Sequence, residues 1–191
     1  MEAQKYEEFY TYADYCKWDD SERWELIDGV AYAMAPSPSQ EHQSIVGALF
    51  SQLYNHLKGN PYKVFVAPLD IRLNADTADD TVVQPDILVV CDEAKLGDGK
   101  AIIGAPDMIV EVLSQSSVRH DTVRKFRIYL RSGVKEYWIV DPDNKTVTVY
   151  VLHDGRYIAE TFDRNDIAVP VNVLDGCIIN LAEVFGAEVS E

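Results

Sequence analysis

Asp86, Glu111 and Lys125 are the side chains whose types and spacing could do chemistry together. Asp86 interrupts the apolar run 82–90, and Glu111 interrupts the apolar run 108–113. A carboxylate is a poor choice for a strand that otherwise reads as sheet core, because charge is rarely buried unpaired. Two such acids on neighbouring strands call for something positive, and a divalent cation is the simplest compensator. Hard cations such as Mg2+ take oxygen ligands and keep several waters. Asp86, Glu111 and a strand carbonyl such as that of Val112 make a suitable set for one or two ions. Ions held in this way stabilise charge on a phosphoryl oxygen and lower the pKa of an attacking water. A nearby lysine ammonium would position that water and offset developing charge. Either acid alone would read as a strand-end residue or an ion-pair partner; the two together, ahead of a basic helix, point to a site.

The elements that must carry these groups follow from periodicity. Residues 64–73, 82–90 and 108–113 read as strands, joined by the polar piece 74–80 and the Gly-rich piece 91–105. A helix is expected from about residue 121 to 132, ended by Gly133. At about 100° per residue, Val123, Phe126 and Leu130 form its core side. Asp121, Lys125 and Tyr129 line one flank, and Arg124, Arg127 and Arg131 form a ridge on the other. Lys125 then has two readings: an i, i+4 salt bridge with Asp121, or a reach back toward the carboxylates. Asp70 shares a strand face with Arg72 and reads as half of a surface pair; it matters to the site only if its strand lies beside that of Asp86.

Upstream, apolar residues at 45, 46, 49, 50, 53 and 57 mark one buried face of a helix from about 40 to 58, with Ser39 as its N-cap. His42 falls on that inward face, either as a core histidine or as a site group. Residues 5–20 look like a short Tyr-rich helix, and 24–34 like a hairpin turning on Asp28-Gly29. Strand 136–140 follows the second helix. The tail forms a second hairpin, 146–152 with 157–162, and then a short strand and helix near 178–185. No linker or repeat divides the 191 residues, so a single domain spanning 1–191 is expected.

Composition narrows the classes. Hydrophobic residues make up 47% and charged residues 26%, as in an ordinary folded chain. No stretch is long enough to span a membrane, and the first residues carry no secretory pattern. Cys16, Cys91 and Cys177 fit neither a zinc pattern nor a disulfide framework, which favours the cytoplasm. The net charge of −15 opposes a phosphate-binding surface. Segment 112–135 reverses that sign locally, with Arg119, Arg124, Lys125, Arg127, Arg131 and Lys135 against Asp121. That stripe is a solvated helix face or a contact for nucleic acid.

The residues taken together resemble a family. Glu111-Val112-Leu113-Ser114-Gln115-Ser116-Ser117, then Asp121, Lys125, Tyr129, Gly133-Val134 and Glu136-Tyr137-Trp138-Ile139-Val140-Asp141-Pro142, look like the Uma-type restriction endonuclease family of the PD-(D/E)XK nuclease superfamily. Glu25-Leu26-Ile27-Asp28-Gly29, Pro36-Ser37-Pro38 with His42, and Gln84-Pro85-Asp86 extend the match over roughly 10–185. The resemblance implies an α/β (α+β) restriction-endonuclease-like fold, a mixed central sheet flanked by helices, here with extra terminal β-hairpins. It implies DNA phosphodiester cleavage dependent on Mg2+, for which Mn2+ can substitute. Asp86 matches the motif aspartate and Glu111 the second motif acid. The superfamily's lysine normally lies two residues beyond that acid, where this chain has Leu113, and Lys125 is the substitute that the family pattern suggests. His42 joins the catalytic set, and Glu25, Asp70, Gln84, Asp121 and Tyr129 would line the site. Arg119, Arg124, Arg127 and Arg131 would contact the nucleic acid. A homodimer is expected, since two-fold symmetry suits two strands. The alternative is a weak or inactive nuclease-fold protein serving as a nucleic-acid or protein interaction module.

Overall fold

The computed structural model describes residues 8–18, 22–34, 37–114 and 120–186, the side chains of 120–122 excepted. One helical turn, α1 (Tyr12–Tyr15), stands where the Tyr-rich stretch suggests a longer helix. The hairpin β1 (Trp24–Ile27) and β2 (Val30–Ala33) turns on Asp28 and Gly29, whose φ angles of 51° and 74° are those of a two-residue hairpin turn. Helix α2 (Gln40–Leu57) begins at Ser39 and buries Ile45, Val46, Leu49, Leu53 and Leu57, as their spacing predicts. Then come β3 (Lys63–Val66), β4 (Asp70–Arg72), β5 (Val82–Val83), β6 (Ile87–Val90), a 3-10 turn (Glu93–Leu96), β7 (Ala101–Ile103) and β8 (Met108–Val112). A wide π-type turn (His120–Lys125) runs into α3 (Phe126–Ser132), which stops at Gly133 in the left-handed conformation. The chain ends with β9 (Glu136–Asp141), β10 (Thr146–His153), β11 (Arg156–Asp163), β12 (Val169–Pro170), β13 (Ile178–Ile179) and α4 (Leu181–Phe185).

The result is a mixed α+β fold. A six-stranded sheet has the order β11-β10-β9-β8-β6-β3, and a five-stranded sheet the order β2-β1-β5-β4-β7. Only β8 and β9 pair in parallel within the larger sheet, joined by the α3 crossover. Side-chain alternation splits that sheet's two faces. Ile87, Val89, Val110, Val112, Trp138 and Val140 pack on α2. Leu88, Val90, Ile109, Tyr137 and Ile139 pack with Ile128 and Tyr129 of α3 and with Ile27 and Ile71 of the smaller sheet. Among the described residues no helix is long and apolar enough to cross a membrane.

Further sequence expectations change in the sheets and the second helix. The runs 64–73 and 82–90 are not single strands. Each breaks where Pro68 or Pro85, lacking an N–H, interrupts the ladder. Their first and second halves lie in different sheets, so 63–90 is one long hairpin bent from the larger sheet into the smaller. From Val66 to Ile71 is five steps, whereas the opposite arm takes four from Ile87 to Val83, so the bend carries one extra residue. Such bulges re-aim side chains. The Gly-rich piece 91–105 holds a strand, β7, paired in parallel with β4. Finally, the core side of the second helix is rotated: Phe126 packs against the core as expected and Leu130 is half-buried, but Val123 is not part of it. Val123 is exposed, while Lys125, Ile128 and Tyr129 are buried. The π-type turn widens the winding before Phe126 and rotates Val123 outward.

Candidate functional site

The bend in the long hairpin is where the chemistry gathers. Asp86 lies at the bend, its carbonyl still accepting the N–H of Ala67 at 3.0 Å. The β6–β8 ladder ends at Ile87 opposite Val110, so one further step puts Asp86 opposite Glu111. The Asp86 side chain turns across the ladder's end, and its Oδ2 accepts the Val112 N–H at 2.8 Å. From the α2 side, His42 Nε2 lies 3.2 Å from the same oxygen. Ser39 fixes that histidine's position, because its hydroxyl accepts the His42 backbone N–H at 3.2 Å. Replacing Ser39 by alanine removes this cap and should cost about 1 kcal/mol in urea unfolding.

Glu111 points to the opposite face. Its Oε1 accepts from Lys125 Nζ at 2.9 Å and from the Tyr129 hydroxyl at 2.8 Å. Lys125 and Tyr129 stand one turn apart on the same helical face, so both reach one carboxylate. Burial first, then the charges of Glu111 and Glu25, hold the Tyr129 phenol well above its ordinary value, so it remains a donor. Lys125 Nζ also lies 2.9 Å from Glu25 Oε1, which comes from β1 of the other sheet. Glu25 accepts the Gln84 backbone N–H at 2.9 Å. Glu25, His42, Glu111 and Lys125 are all buried, whereas the Asp86 side chain is 21% exposed. The site is thus a buried ion cluster with a single carboxylate at its mouth.

Asp86, Val112 and His42 therefore form one group, and Glu111, Lys125, Tyr129, Glu25 and Gln84 a second, the two adjoining where Glu111 precedes Val112 in β8. The remaining candidates are placed differently. Asp70 does not pair with Arg72. Arg72 reaches Asp79 instead, at 2.7 Å, and its guanidinium covers the Tyr12 ring. The side chains of Asp70 and Arg72 part because Asp79, at the end of the polar piece, offers a bidentate partner. Asp70 Oδ1 accepts from Gln84 Nε2 at 2.8 Å and from the Tyr15 hydroxyl at 3.0 Å. The ridge arginines meet the β1–β2 hairpin: Arg124 lies over the Tyr32 ring at 4.4 Å and Arg131 pairs with Asp28. Arg127 is exposed. Arg119 and the Asp121 side chain lie outside the described residues.

Tyr15 and Arg23 escaped the sequence reading. Both clamp Gln84, Arg23 through Nε at 3.1 Å and Nη2 at 2.7 Å to Gln84 Oε1, and Tyr15 through its hydroxyl at 3.1 Å from Gln84 Nε2. No local spacing signals a contact made across some sixty residues of sequence.

Among the described residues no three His, Cys, Asp or Glu side chains form a ready metal cage. The pair Asp86 and Glu111, with the Val112 carbonyl, is a hard oxygen set of the size Mg2+ uses when it retains waters. Both contacts to Asp86 fall on Oδ2, and its partial exposure gives an ion a way in from solvent. The donor set fits such a cation.

A six-stranded mixed sheet packed between α2 on one face and α3 with a smaller sheet on the other makes a nuclease-like fold. The chain belongs to the Uma2 family, described as "Putative restriction endonuclease", which it matches over residues 7–182. It is 30% identical over 159 residues to an uncharacterized protein of Synechocystis, covering 80% of each chain. The crystal structure of a protein from Anabaena variabilis, described as "a putative nuclease belonging to DUF820", superposes with a TM-score of 0.74 at 24% identity. That match covers 92% of this chain and 97% of the other, and it establishes the fold.

Proposed function

We propose that this chain is a divalent-cation-dependent endonuclease that hydrolyses DNA phosphodiester bonds at the Asp86–Glu111–Lys125 cluster. The observation that carries the reading is the ammonium of Lys125 within 2.9 Å of Glu111, from a different element than the one that normally supplies the lysine. Asp86, Glu111 and the Val112 carbonyl would hold Mg2+, with Mn2+ able to substitute. Bound there, such an ion would supply Lewis acidity toward a phosphoryl oxygen and acidify the attacking water. Lys125 orients that water and offsets charge developing on the phosphate. Tyr129 keeps Glu111 aimed, and His42 with the Val112 N–H keeps Asp86 aimed. Arg119 and the ridge of Arg124, Arg127 and Arg131 would meet the DNA backbone against a chain of net charge −15. One domain, a homodimer matched to two strands and a cytoplasmic setting complete the reading.

The test is cleavage of linear, supercoiled and single-stranded DNA with Mg2+ or Mn2+, comparing wild type with Asp86→Ala. Cutting that depends on the cation and on Asp86 is expected. No cutting under any condition, or equal cutting by the variant, removes the proposal and favours the non-catalytic interaction module, which Leu113 at the usual lysine position also motivates.

A further inference from the structure

Glu25 holds a carboxylate in the site that the metal set does not use. It comes from the smaller sheet, is buried, and meets the same Lys125 nitrogen as Glu111, both at 2.9 Å. Its placement is closely determined. The oxygen facing Lys125 also accepts the Gln84 N–H at 2.9 Å. The Gln84 side chain is locked by Arg23, Tyr15 and Asp70. Gln84 is two residues from Asp86, so one short segment fixes both the Glu25 anchor and the carboxylate at the site's mouth.

A cation drawing on the oxygens of Glu111 repels an ammonium that touches one of them. Lys125 must then lose hold of Glu111 while staying within reach of the attacking water. A second carboxylate on the same nitrogen, brought from the other sheet, lets it do so. We infer that Glu25 is a positioning residue that takes over Lys125 when a divalent cation engages Glu111, an inference that rests on the metal-dependent reading above. In this scheme Glu25 touches the lysine and not the ion. Without Glu25, Lys125 leans wholly on Glu111 and competes with the cation for it.

The competition is read by calorimetric titration of the full chain with Mn2+. Four proteins are compared: wild type, Glu25→Gln, Lys125→Met and the double variant, each checked for folding by circular dichroism. Lys125→Gln replaces Lys125→Met in both single and double variants if the methionine protein does not fold. With Lys125 present, Glu25→Gln should weaken Mn2+ binding about tenfold, the scale of one charge-assisted hydrogen bond. With Lys125 absent, the same change should move Kd by less than about threefold, the scatter expected of uncoupled sites. An equal loss in both backgrounds makes Glu25 a metal ligand and overturns the inference. Unchanged binding by Glu25→Gln overturns it as well, while leaving the metal centre standing. A wild-type protein that binds no Mn2+ removes the metal centre itself and the inference with it.

Discussion

Lys125→Met is expected to cost the fold about 3–5 kcal/mol, the range found when one partner of a buried ion pair is removed. The loss comes from charge, because methionine fills nearly the volume of the lysine stem. Glu25 and Glu111 expose only 3% and 5% of their side chains, so little water can replace the ammonium between them. Each keeps a neutral donor, the Gln84 N–H and the Tyr129 hydroxyl, and neither donor carries the charge needed to offset a carboxylate. An exposed pair such as Lys17 with Asp14 would by contrast be worth at most about 1 kcal/mol. Urea unfolding checks the figure. The double variant Glu25→Gln/Lys125→Met should recover a large part of the loss, since it removes one of two facing negative charges. A single variant as stable as wild type would mean that water enters the cluster and that the lysine is not its structural counter-ion. Because Lys125 also orients the attacking water in the proposed reaction, the same substitution should abolish cleavage.

The legibility of this architecture follows the range of the interactions. Asp28-Gly29 announces its hairpin because two adjacent positive φ values are a local demand, and α2 announces itself because its apolar residues recur on one face. The bend in the 63–90 hairpin is set by which sheet each half joins, and nothing between residues 64 and 73 states that choice except Pro68. Strand β7 is three residues long and pairs in parallel with a distant segment, so it leaves neither alternation nor a turn signal. Ideal winding puts Val123 on the core side with Phe126, and the π-type turn, which leaves no mark in the sequence, moves Val123 out. The buried-acid signal that exposed the site is real but not specific. Glu136 is fully buried in a core strand too, yet its carboxylate only ties the Trp138 ring nitrogen, Asn172 and the Val173 N–H together. Burial raises its pKa against those donors, and among the described residues no lysine pairs with it. What separates Glu111 from Glu136 is the cation at 2.9 Å, brought by a helix whose facing residue could be placed only once the winding was known.

Asp86 should show the largest effect on activity with the smallest effect on the fold, provided the substitution is chosen by its hydrogen bonds. Its Oδ2 accepts the Val112 N–H just beyond the end of the ladder, and an asparagine oxygen can do the same. Asp86→Asn therefore keeps the cap and loses only the charge, so its stability should stay within about 1 kcal/mol of wild type, the worth of a typical hydrogen bond. Asp86→Ala leaves the Val112 N–H without its acceptor and should cost about 1–3 kcal/mol. Cleavage should fall at least about 100-fold in both, since even residues that merely support a metal ligand cost 10–100-fold when changed. Measured side by side, the two variants separate the roles: equal loss of cutting with unequal loss of stability assigns the charge to catalysis and the hydrogen bond to the fold. If Asp86→Asn cuts as well as wild type, the carboxylate at the mouth holds no ion. The exposed oxygen of Asp86 is then only the end of a ladder, and whatever the cluster of Glu25, Glu111 and Lys125 does, it does not do it through a metal bound there.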